Sequence, residues 1–492
     1  MRDMLARQIA SPKVLRPHQS KALDLLRASL GKGNRRVVIQ APTGFGKTLT
    51  AAKIVDGALA KGNRVIFTAP AVSLIDQTVE AFEVEGIDCI GVMQANHPRT
   101  DPYQPVQIAS VQTLARRDIP DAALVIVDEA HIRSEVIDRL MDDRKDLFYV
   151  GLSATPWRKG MGLRWQDMVT PVTIGDLIEH GYLSKFTVYA PDVPDMTGVK
   201  VRAGEYVEEA LARLMGDAKL VGNVVQNWLS HGDDRPTLCF AVNRAHAAAL
   251  EDEFRRYGVS SAYVDAQTDR VERAHINRLF RQGSVRVICS VRTMTTGVDL
   301  PVSCIIDAAP TCSEMLHVQK IGRGLRVNQG TETCTIFDHA GNSLRLGLVT
   351  DIHYTELCKA RPGEKPKAKL RESLPGECSK CGVVYTGVVC PSCGHERKPF
   401  RQHVDAVEGS LVAVSGKVKV STKADKQLFW SMALWVDRER GKGRKLALAL
   451  YKGRFGVWPR GLKDIPTAPD QAFANYVTHS RIAYAKRKGK AG

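Results

Sequence analysis

The sequence predicts an α/β fold of two tandem lobes, each a parallel sheet covered by helices on both faces. Three observations predict it. Short strand-like runs alternate with helical stretches over the larger part of the chain. Those runs are apolar throughout, as strands buried on both faces are, rather than alternating as half-exposed strands do. The alternation also restarts, after about residue 215. A chain of 492 residues is enough for roughly two to four domains with sizeable cores.

In the first lobe, RRVVIQ, RVIFTAP, VQIAS, ALVIVDEAH and LFYVGLSAT read as strands, with TLTAAKIVDGALAKG and SLIDQTVEAFEVEG as helices between them. In the second, TLCFAVN, SAYVD, VRVICS and CIIDAAP are strands, and a helix runs through Arg256. The expected boundaries are lobe 1 over 1–185, a less regular connection over 186–214 and lobe 2 over 215–355. A linker over 356–374 is rich in Pro and Lys and is expected to be extended and mobile. A cysteine cluster fills 375–397, and a basic, aromatic, mainly helical region fills 398–492.

Composition is that of a soluble globular protein, with 25% charged and 44% hydrophobic residues. No apolar run is long enough to cross a bilayer. The opening MRDMLARQIASPKVL has no apolar core of a signal peptide, so a cytoplasmic protein with no membrane partner is expected. The net charge is +17, and between His395 and Gly492 there are 21 Lys and Arg against 8 Asp and Glu. That concentration points to a polyanionic partner; a solvated tail is the plainer reading. Seven scattered cysteines, Cys89, Cys239, Cys289, Cys304, Cys312, Cys334 and Cys358, read as reduced core thiols.

Ala41-Pro-Thr43-Gly44-Phe-Gly46-Lys47-Thr48 follows a strand and opens a helix, the setting a phosphate-binding loop needs. Gly44 and Gly46 let the backbone curl so that its N–H groups face phosphates at a helix N-terminus. Lys47 neutralises the terminal phosphates of a nucleotide, and Thr48 offers its hydroxyl to Mg²⁺. Asp128-Glu129-Ala-His131 ends the run ALVIV, and acids at the C-terminal end of a parallel strand point into the ligand crevice. Asp128 is placed to hold Mg²⁺ and Glu129 to polarise an attacking water. Upstream, Gln19 has an amide that matches both edges of adenine; it is equally a surface residue near a helix start. Ser153 and Thr155 either link this site to the second lobe or close a turn. In that lobe, Gln319-Lys-Ile-Gly-Arg323-Gly-Leu-Arg326 puts two arginines three residues apart, on one face if the segment is helical. Arginines so placed reach a γ-phosphate across a cleft and stabilise transition-state charge. Thr295-Thr-Gly-Val-Asp299 follows a strand, and Asp299 suits a ribose hydroxyl or a brace for the arginines.

The order of these segments over residues 12–345 resembles that of superfamily two helicases of the DEAD/DEAH type, built of RecA-like lobes. GLSATPWRKG, IEHGYL, TTGVDLP, QKIGRGLR and IFDHAGN look like RadD-like DNA-repair helicases and their phage relatives. The resemblance implies an ATP- and Mg²⁺-dependent helicase or translocase on DNA, working in phage or bacterial replication, recombination or repair. It implies that Gln19 reads adenine, that Lys47 and Thr48 bind phosphate and metal, and that Glu129 activates water. Gln319, Arg323 and Arg326 then act on the γ-phosphate. It also places Thr68–Ser73, Ser110–Thr113 and Asn243–His246 along the nucleic-acid track. One departure stands out: residues 1–15 contain no aromatic side chain to stack on the base. An RNA helicase, a non-unwinding duplex translocase and an ATP-gated clamp remain open, although Glu129 argues against a non-hydrolysing switch.

Cys378-Ser-Lys-Cys381-Gly and Cys390-Pro-Ser-Cys393-Gly are two matched knuckles. Four thiolates so spaced suit one tetrahedral Zn²⁺ in a small ribbon; a redox pair is the alternative. His395 reads as a surface residue rather than a ligand. The ribbon or the C-terminal region is also a candidate surface for a protein partner. There, Phe429, Trp430, Trp435, Tyr451, Phe455 and Trp458 read as the core of a small helical domain, or as rings offered to nucleic acid.

Overall fold

The computed structural model describes residues 13–191, 193–291, 293–295, 300–327, 332–361, 364, 374–397, 422–441, 443–455, 457–470, 473–474 and 476–478. The chain forms two compact units, residues 1–400 and 401–492.

Seven strands make the first sheet: β1 (Arg36–Gln40), β2 (Val65–Ala69), β3 (Ile90–Met93), β4 (Val106–Ser110), β5 (Leu124–Asp128), β6 (Phe148–Ser153) and β7 (Asp167–Val169). All pair in parallel, in the order β3-β4-β2-β5-β6-β1-β7. β2 and β4 are buried at every position, as the unbroken apolar runs require, and Val38, Ile66, Val125 and Tyr149 are closed off completely. In register, β5 lies beside β6 with Asp128 opposite Leu152, so the acids of β5 and the hydroxyls after β6 emerge on one edge.

The second sheet begins earlier than the sequence suggests. β8 (Lys185–Tyr189) pairs in parallel with β15 (Thr333–Phe337). Residues 186–214 are therefore not simply a connection: they start with the edge strand of lobe 2, followed by a hairpin of β9 (Val201–Arg202) and β10 (Glu205–Tyr206) and the helix Glu208–Met215. β11 (Thr237–Phe240), β12 (Ser261–Val264), β13 (Val287–Ser290) and β14 (Cys304–Asp307) complete an order of β12-β13-β11-β14-β15-β8. The alternating Thr and aromatic residues of KFTVY hide this strand, because only Val188 of its five residues is fully buried.

The expected mobile linker is also corrected in its first half. Gly162 donates its N–H to Cys358 O at 2.9 Å, and Leu357 packs against the core of lobe 1. Tyr354 lies on Trp157 with ring centroids 5.0 Å apart and donates its hydroxyl to Glu314 of lobe 2. Residues 354–361 thus form a strap between the lobes; 362–363 and 365–373 lie outside the described residues.

The cysteine ribbon carries β16 (Gly376–Glu377) and β17 (Val384–Tyr385), paired antiparallel. A bridge from Val383 to Tyr189 fastens it to the free edge of β8, covering an edge that would otherwise be open to pairing. In the second unit, helices Lys423–Glu439 and Lys445–Phe455 pack on each other. Thr422 caps the first with a reciprocal bond to Asp425. Trp430 and Tyr451 are buried, Phe429, Trp435 and Phe455 pack against them, and Trp458 is 51% exposed. No described helix is long and apolar enough to cross a membrane.

Candidate ATP site between the lobes

The loop after β1 turns on Gly44 and Gly46, at φ +71° and +86°, values that an L side chain rarely adopts. A β-carbon on Gly46 would lie 2.3 Å from the Gln19 amide and one on Gly44 2.4 Å from Leu183. Gly46 opens the helix Lys47–Leu59 without any side-chain cap, so the first N–H groups of that helix are left for an anion.

Lys47 reaches the end of β5. It is hydrogen-bonded to Glu129 and lies 3.8 Å from Asp128. Burial pulls the Lys47 ammonium down, but Asp128 and Glu129 outweigh burial and hold its pKa above the usual value. Burial pushes Asp128 above the ordinary aspartate value, against the pull of Lys47. Burial would raise Glu129 too, but Lys47 beside it keeps its pKa low and the acid ionised. Glu129 also sits at φ +48°, a conformation that costs a non-glycine residue energy and clusters at functional sites. Asp128 helps to hold it there, accepting the Glu129 N–H at 2.9 Å.

The donor set fits a magnesium ion. Thr48 is exposed in the first helical turn, and Asp128 is a desolvated carboxylate with its nearest cation 3.8 Å away. Thr48 and Asp128 would hold it, and the ion would supply positive charge that neutralises the phosphates.

Lobe 2 closes the site. Thr43 donates to Gly322 O at 3.0 Å, and a β-carbon on Gly322 would meet Thr43 at 3.1 Å. Gln319 donates to Thr155 Oγ1 at 3.0 Å and to His131 Nε2 at 3.1 Å. His131 Nδ1 in turn lies 2.8 Å from Ser153 Oγ. Burial lowers the His131 pKa, so a neutral ring accepts from Gln319 and donates to Ser153. Ser153 and Thr155 do link the site to lobe 2. Gln319 is spent on that bridge in this conformation rather than aimed at the phosphate position.

The helix Glu314–Ile321 stops before the arginines, so Arg323 and Arg326 do not share a helical face. Arg323 lies in the turn beyond it, and its charge acts on both Lys47 and Glu129. Arg326 pairs through its backbone with Leu183, the residue that contacts the phosphate loop.

Gln19, the expected adenine reader, has its amide engaged within the protein. It is 1% exposed, accepts the Arg16 N–H at 2.8 Å and donates to Phe45 O at 3.0 Å and Gly46 O at 3.3 Å. Its amide nitrogen holds the phosphate loop, and its oxygen closes the cap of its own helix at Arg16. Beside it, Tyr182 lies under the Arg16 guanidinium at 4.7 Å and meets the edge of His18 at 5.0 Å. IEHGYL carries this residue in the sequence, but no local pattern gives it a role. Asp299 and the Thr296–Val298 segment lie outside the described residues. On the expected nucleic-acid track, Thr68 is buried and donates to Ile126 O, Ser110 caps the helix Val111–Leu114, and Asn243 caps the helix Arg244–Arg256. His246 is 3% exposed. Thr68 and His246 are therefore each buried inside their own lobe.

The four ribbon thiols converge, with all ligand atoms within 4.8 Å of one another. Cys378 and Cys393 Sγ are 3.7 Å apart, Cys381 and Cys390 Sγ 3.6 Å. A zinc tetrahedron with bonds of about 2.3 Å has edges of about 3.8 Å, whereas a disulfide is about 2.05 Å. Against burial, the N–H groups of Lys380 and Cys381 lower the Cys378 pKa to about 7. The donor set and its spacing fit zinc. His395 is held by Ser379 at 3.1 Å.

Residues 12–158 match the family described as "Type III restriction enzyme, res subunit", and residues 220–328 match "Helicase conserved C-terminal domain". The chain belongs to the superfamily two helicases. A Lactococcus phage (isolate 7-9) "51.5 kDa protein" is 26% identical over 401 residues, covering 79% of this chain and 85% of that one. The "Putative ATP-dependent helicase IRC3" of Saccharomyces cerevisiae is 27% identical over 378 residues, covering 71% of this chain and 54% of the yeast protein. This helicase chain thus spans about half the length of that relative. Among solved structures, a fragment of a "putative HsdR subunit of a type I restriction enzyme" from Vibrio vulnificus YJ016 superposes with a TM-score of 0.55 at 21% identity, over 71% of this chain and 69% of that one.

Proposed function

We propose that the protein is an ATP-dependent DNA helicase or translocase that couples hydrolysis to movement along DNA. The observation that carries this reading is the bridge across the cleft: Thr43 to Gly322, and Gln319 to Thr155 and His131. Through it, residues at the phosphate loop and the acid pair touch residues of the opposite lobe, so a change at the nucleotide changes the angle between lobes. Lys47 gives up Glu129 when phosphates take its ammonium. Glu129, ionised and released, orients the water, and Arg323 and Arg326 neutralise the charge that develops on the transferred phosphoryl group. Loss of that charge reopens the cleft, and alternate grip by the two lobes advances the strand.

The match to a restriction-enzyme subunit supports DNA as the track, and the resemblance of several segments to RadD-like helicases supports a part in phage or bacterial replication, recombination or repair. The four cysteines hold one structural zinc. The purified protein should carry close to one zinc per chain, lost when Cys378→Ser and Cys381→Ser are combined; a folded, metal-free wild type rules the ribbon out. The motor is tested by ATP turnover on single-stranded, duplex and forked DNA and on matched RNA, with strand displacement on the forks. Turnover indifferent to every nucleic acid would overturn the reading, and stimulation by RNA alone would move it to an RNA helicase.

A further inference from the structure

Residues 401–492 form a compact unit that contains none of the ATP motifs, and its surface carries a groove of about 600 Å³. Lys423, Lys426 and Arg460 line it together with Tyr451 and Trp458, and among the described residues no carboxylate lines it. The neighbouring acids are engaged elsewhere. Asp425 closes the helix cap with Thr422, and Asp464 accepts from Trp430 Nε1 at 2.8 Å and pairs with Arg444.

Two features separate this groove from a chance patch of positive surface. The first is Trp458. The other described aromatic rings of the unit belong to its core, with Trp430 1% and Tyr451 2% exposed, whereas Trp458 is 51% exposed. The Lys452 ammonium lies 4.2 Å from its ring centroid, a cation–π contact that holds the indole in place and leaves much of its surface open. The second is rigidity. Gln427 donates to Lys463 O and accepts the Lys463 N–H, both at 2.7 Å. Thr467 donates its N–H to Ser431 O at 3.1 Å. The loop that carries Trp458 and Arg460 is thus fastened to the helix that carries Lys423 and Lys426.

Cations in a track beside an open aromatic face match one ligand chemistry: a phosphodiester chain with unpaired bases. The ammonium and guanidinium groups take the phosphates, and the ring takes a base without regard to its identity. A duplex offers the phosphates but keeps its bases stacked on one another. We propose that this groove is a single-stranded nucleic-acid clasp, in which Lys423, Lys426 and Arg460 hold the backbone and a base stacks on Trp458. The assignment deepens the motor reading and rests on it for the biological ligand: an anchor outside the two lobes keeps the strand bound while the lobes alternate their grip.

The test uses the full-length chain and a fluorescein-labelled oligothymidylate, with anisotropy read across a salt series. Trp458→Ala should weaken binding roughly 5- to 150-fold, the range for removal of one base stack, and Trp458→Phe should restore most of it. Binding of a blunt duplex should change much less. Lys423→Ala combined with Lys426→Ala should flatten the log–log salt slope by roughly 0.7 for each single-strand phosphate that is no longer neutralised. ATP turnover at saturating DNA should match wild type in every variant. Unchanged oligothymidylate affinity and slope in all variants would overturn the clasp and turn the groove over to a protein partner. An equal loss on duplex and single strand would overturn the stacking role of Trp458. Failure of the motor reading would appear separately, as wild-type turnover that ignores DNA, while the binding series still decides the groove.

Discussion

Two lysine–carboxylate pairs, one in each lobe, show how the same contact serves opposite ends. In lobe 1, Lys47 meets Glu129 with side chains 25% and 15% exposed, at the mouth of the cleft. In lobe 2, Lys320 meets Asp307 at 3% and 0% exposure. The second pair is locked from several sides: Lys320 also donates to Ala309 O at 2.8 Å, and Asn342 donates to Asp307 Oδ2 at 2.9 Å. The first pair is held more loosely, with Asp128 3.8 Å from Lys47 and His131 Nδ1 3.3 Å from Glu129; in the proposed cycle its ammonium exchanges a carboxylate for a phosphate. The contrast teaches that a buried charge alone does not mark a catalytic group; a charge whose partner can be replaced does. Lys320 lies one residue from Gln319 in sequence, yet its work is to hold the helix from which Gln319 and the arginine turn project.

The largest expected effects break the exchangeable pair. Lys47→Ala and Glu129→Gln should each abolish turnover, by different routes. Lys47→Ala loses the main cation for the phosphates and should bind nucleotide weakly. Glu129→Gln keeps that cation and should retain ATP in a closed state. Arg323→Ala should cut hydrolysis by roughly a thousandfold or more while ATP still binds. Thermal stability should move little in all three, since water reaches this pair. Single-turnover hydrolysis and nucleotide titration check all three. Near wild-type hydrolysis in Glu129→Gln would remove that residue from the mechanism.

The permanent pair should respond in the reverse way. Asp307→Ala leaves the Lys320 ammonium buried and alone, at a cost of about 3–5 kcal/mol, seen as a lowered unfolding midpoint. Lys320→Met combined with Asp307→Asn should cost less than the two single changes added, because no charge is stranded. Strict additivity in that double-mutant cycle would mean that the two groups do not act as a pair.

Much of this was legible in the sequence, and what was not has a common cause. The phosphate loop sits between a strand and a helix, the acid pair ends an apolar run, and the cysteines keep a fixed spacing; each signal is local. Thr43 and Gly322 are far apart in sequence, and their contact becomes visible only when two sheets close on one cleft. Tyr182 reaches Arg16 and His18 from another segment, so the sequence near Gln19 does not report the ring that packs there. The orientation of the Gln19 amide toward Phe45 and Gly46 depends on a loop curvature that the motif permits but does not spell out. KFTVY lacked the unbroken apolar character of a central strand because β8 is an edge, covered on its outer side by the ribbon.

Buried histidines extend the contrast to pH. Burial lowers the His246 pKa to about 4, and its Nδ1 accepts the Val242 N–H at 3.3 Å, so the folded state holds it neutral. The sign follows from linkage: its contribution is fully present above the unfolded value of about 6.5 and is lost as pH falls toward 4, by about 3 kcal/mol in all. Burial also lowers His18 and His131, which act in the same direction. Asp307 runs in a lower window. Burial would raise it, but Lys320 and His317 hold it well below the ordinary value, so its contribution is present above about pH 3.9 and lost below. Stability should therefore fall between pH 6.5 and 4, and His246→Asn should flatten that slope. An unchanged slope in denaturant titrations over that window would mean that His246 does not titrate on unfolding.

The smallest effect should come from the strap, and it asks whether the lobes are held together by anything other than the nucleotide cleft. Tyr354 touches both lobes: its ring lies on Trp157, two residues past Thr155, and its hydroxyl donates to Glu314, at the start of the helix that carries Gln319. Tyr354→Phe keeps the ring contact and removes only the hydroxyl. A hydrogen bond to a charged acceptor contributes about 1.5–3 kcal/mol where it is buried, and less here, where Glu314 is partly exposed and water can replace the phenol. If the strap favours the closed cleft, about 1 kcal/mol should pass into nucleotide affinity, as a roughly fivefold weaker ATP interaction with saturated turnover unchanged. If it only braces the fold, the unfolding midpoint should drop slightly and ATP affinity should stay put. Nucleotide titration beside thermal unfolding on the same variant separates the two. An unchanged affinity would leave the cleft contacts of Thr43 and Gln319 as the means by which lobe 2 senses the nucleotide.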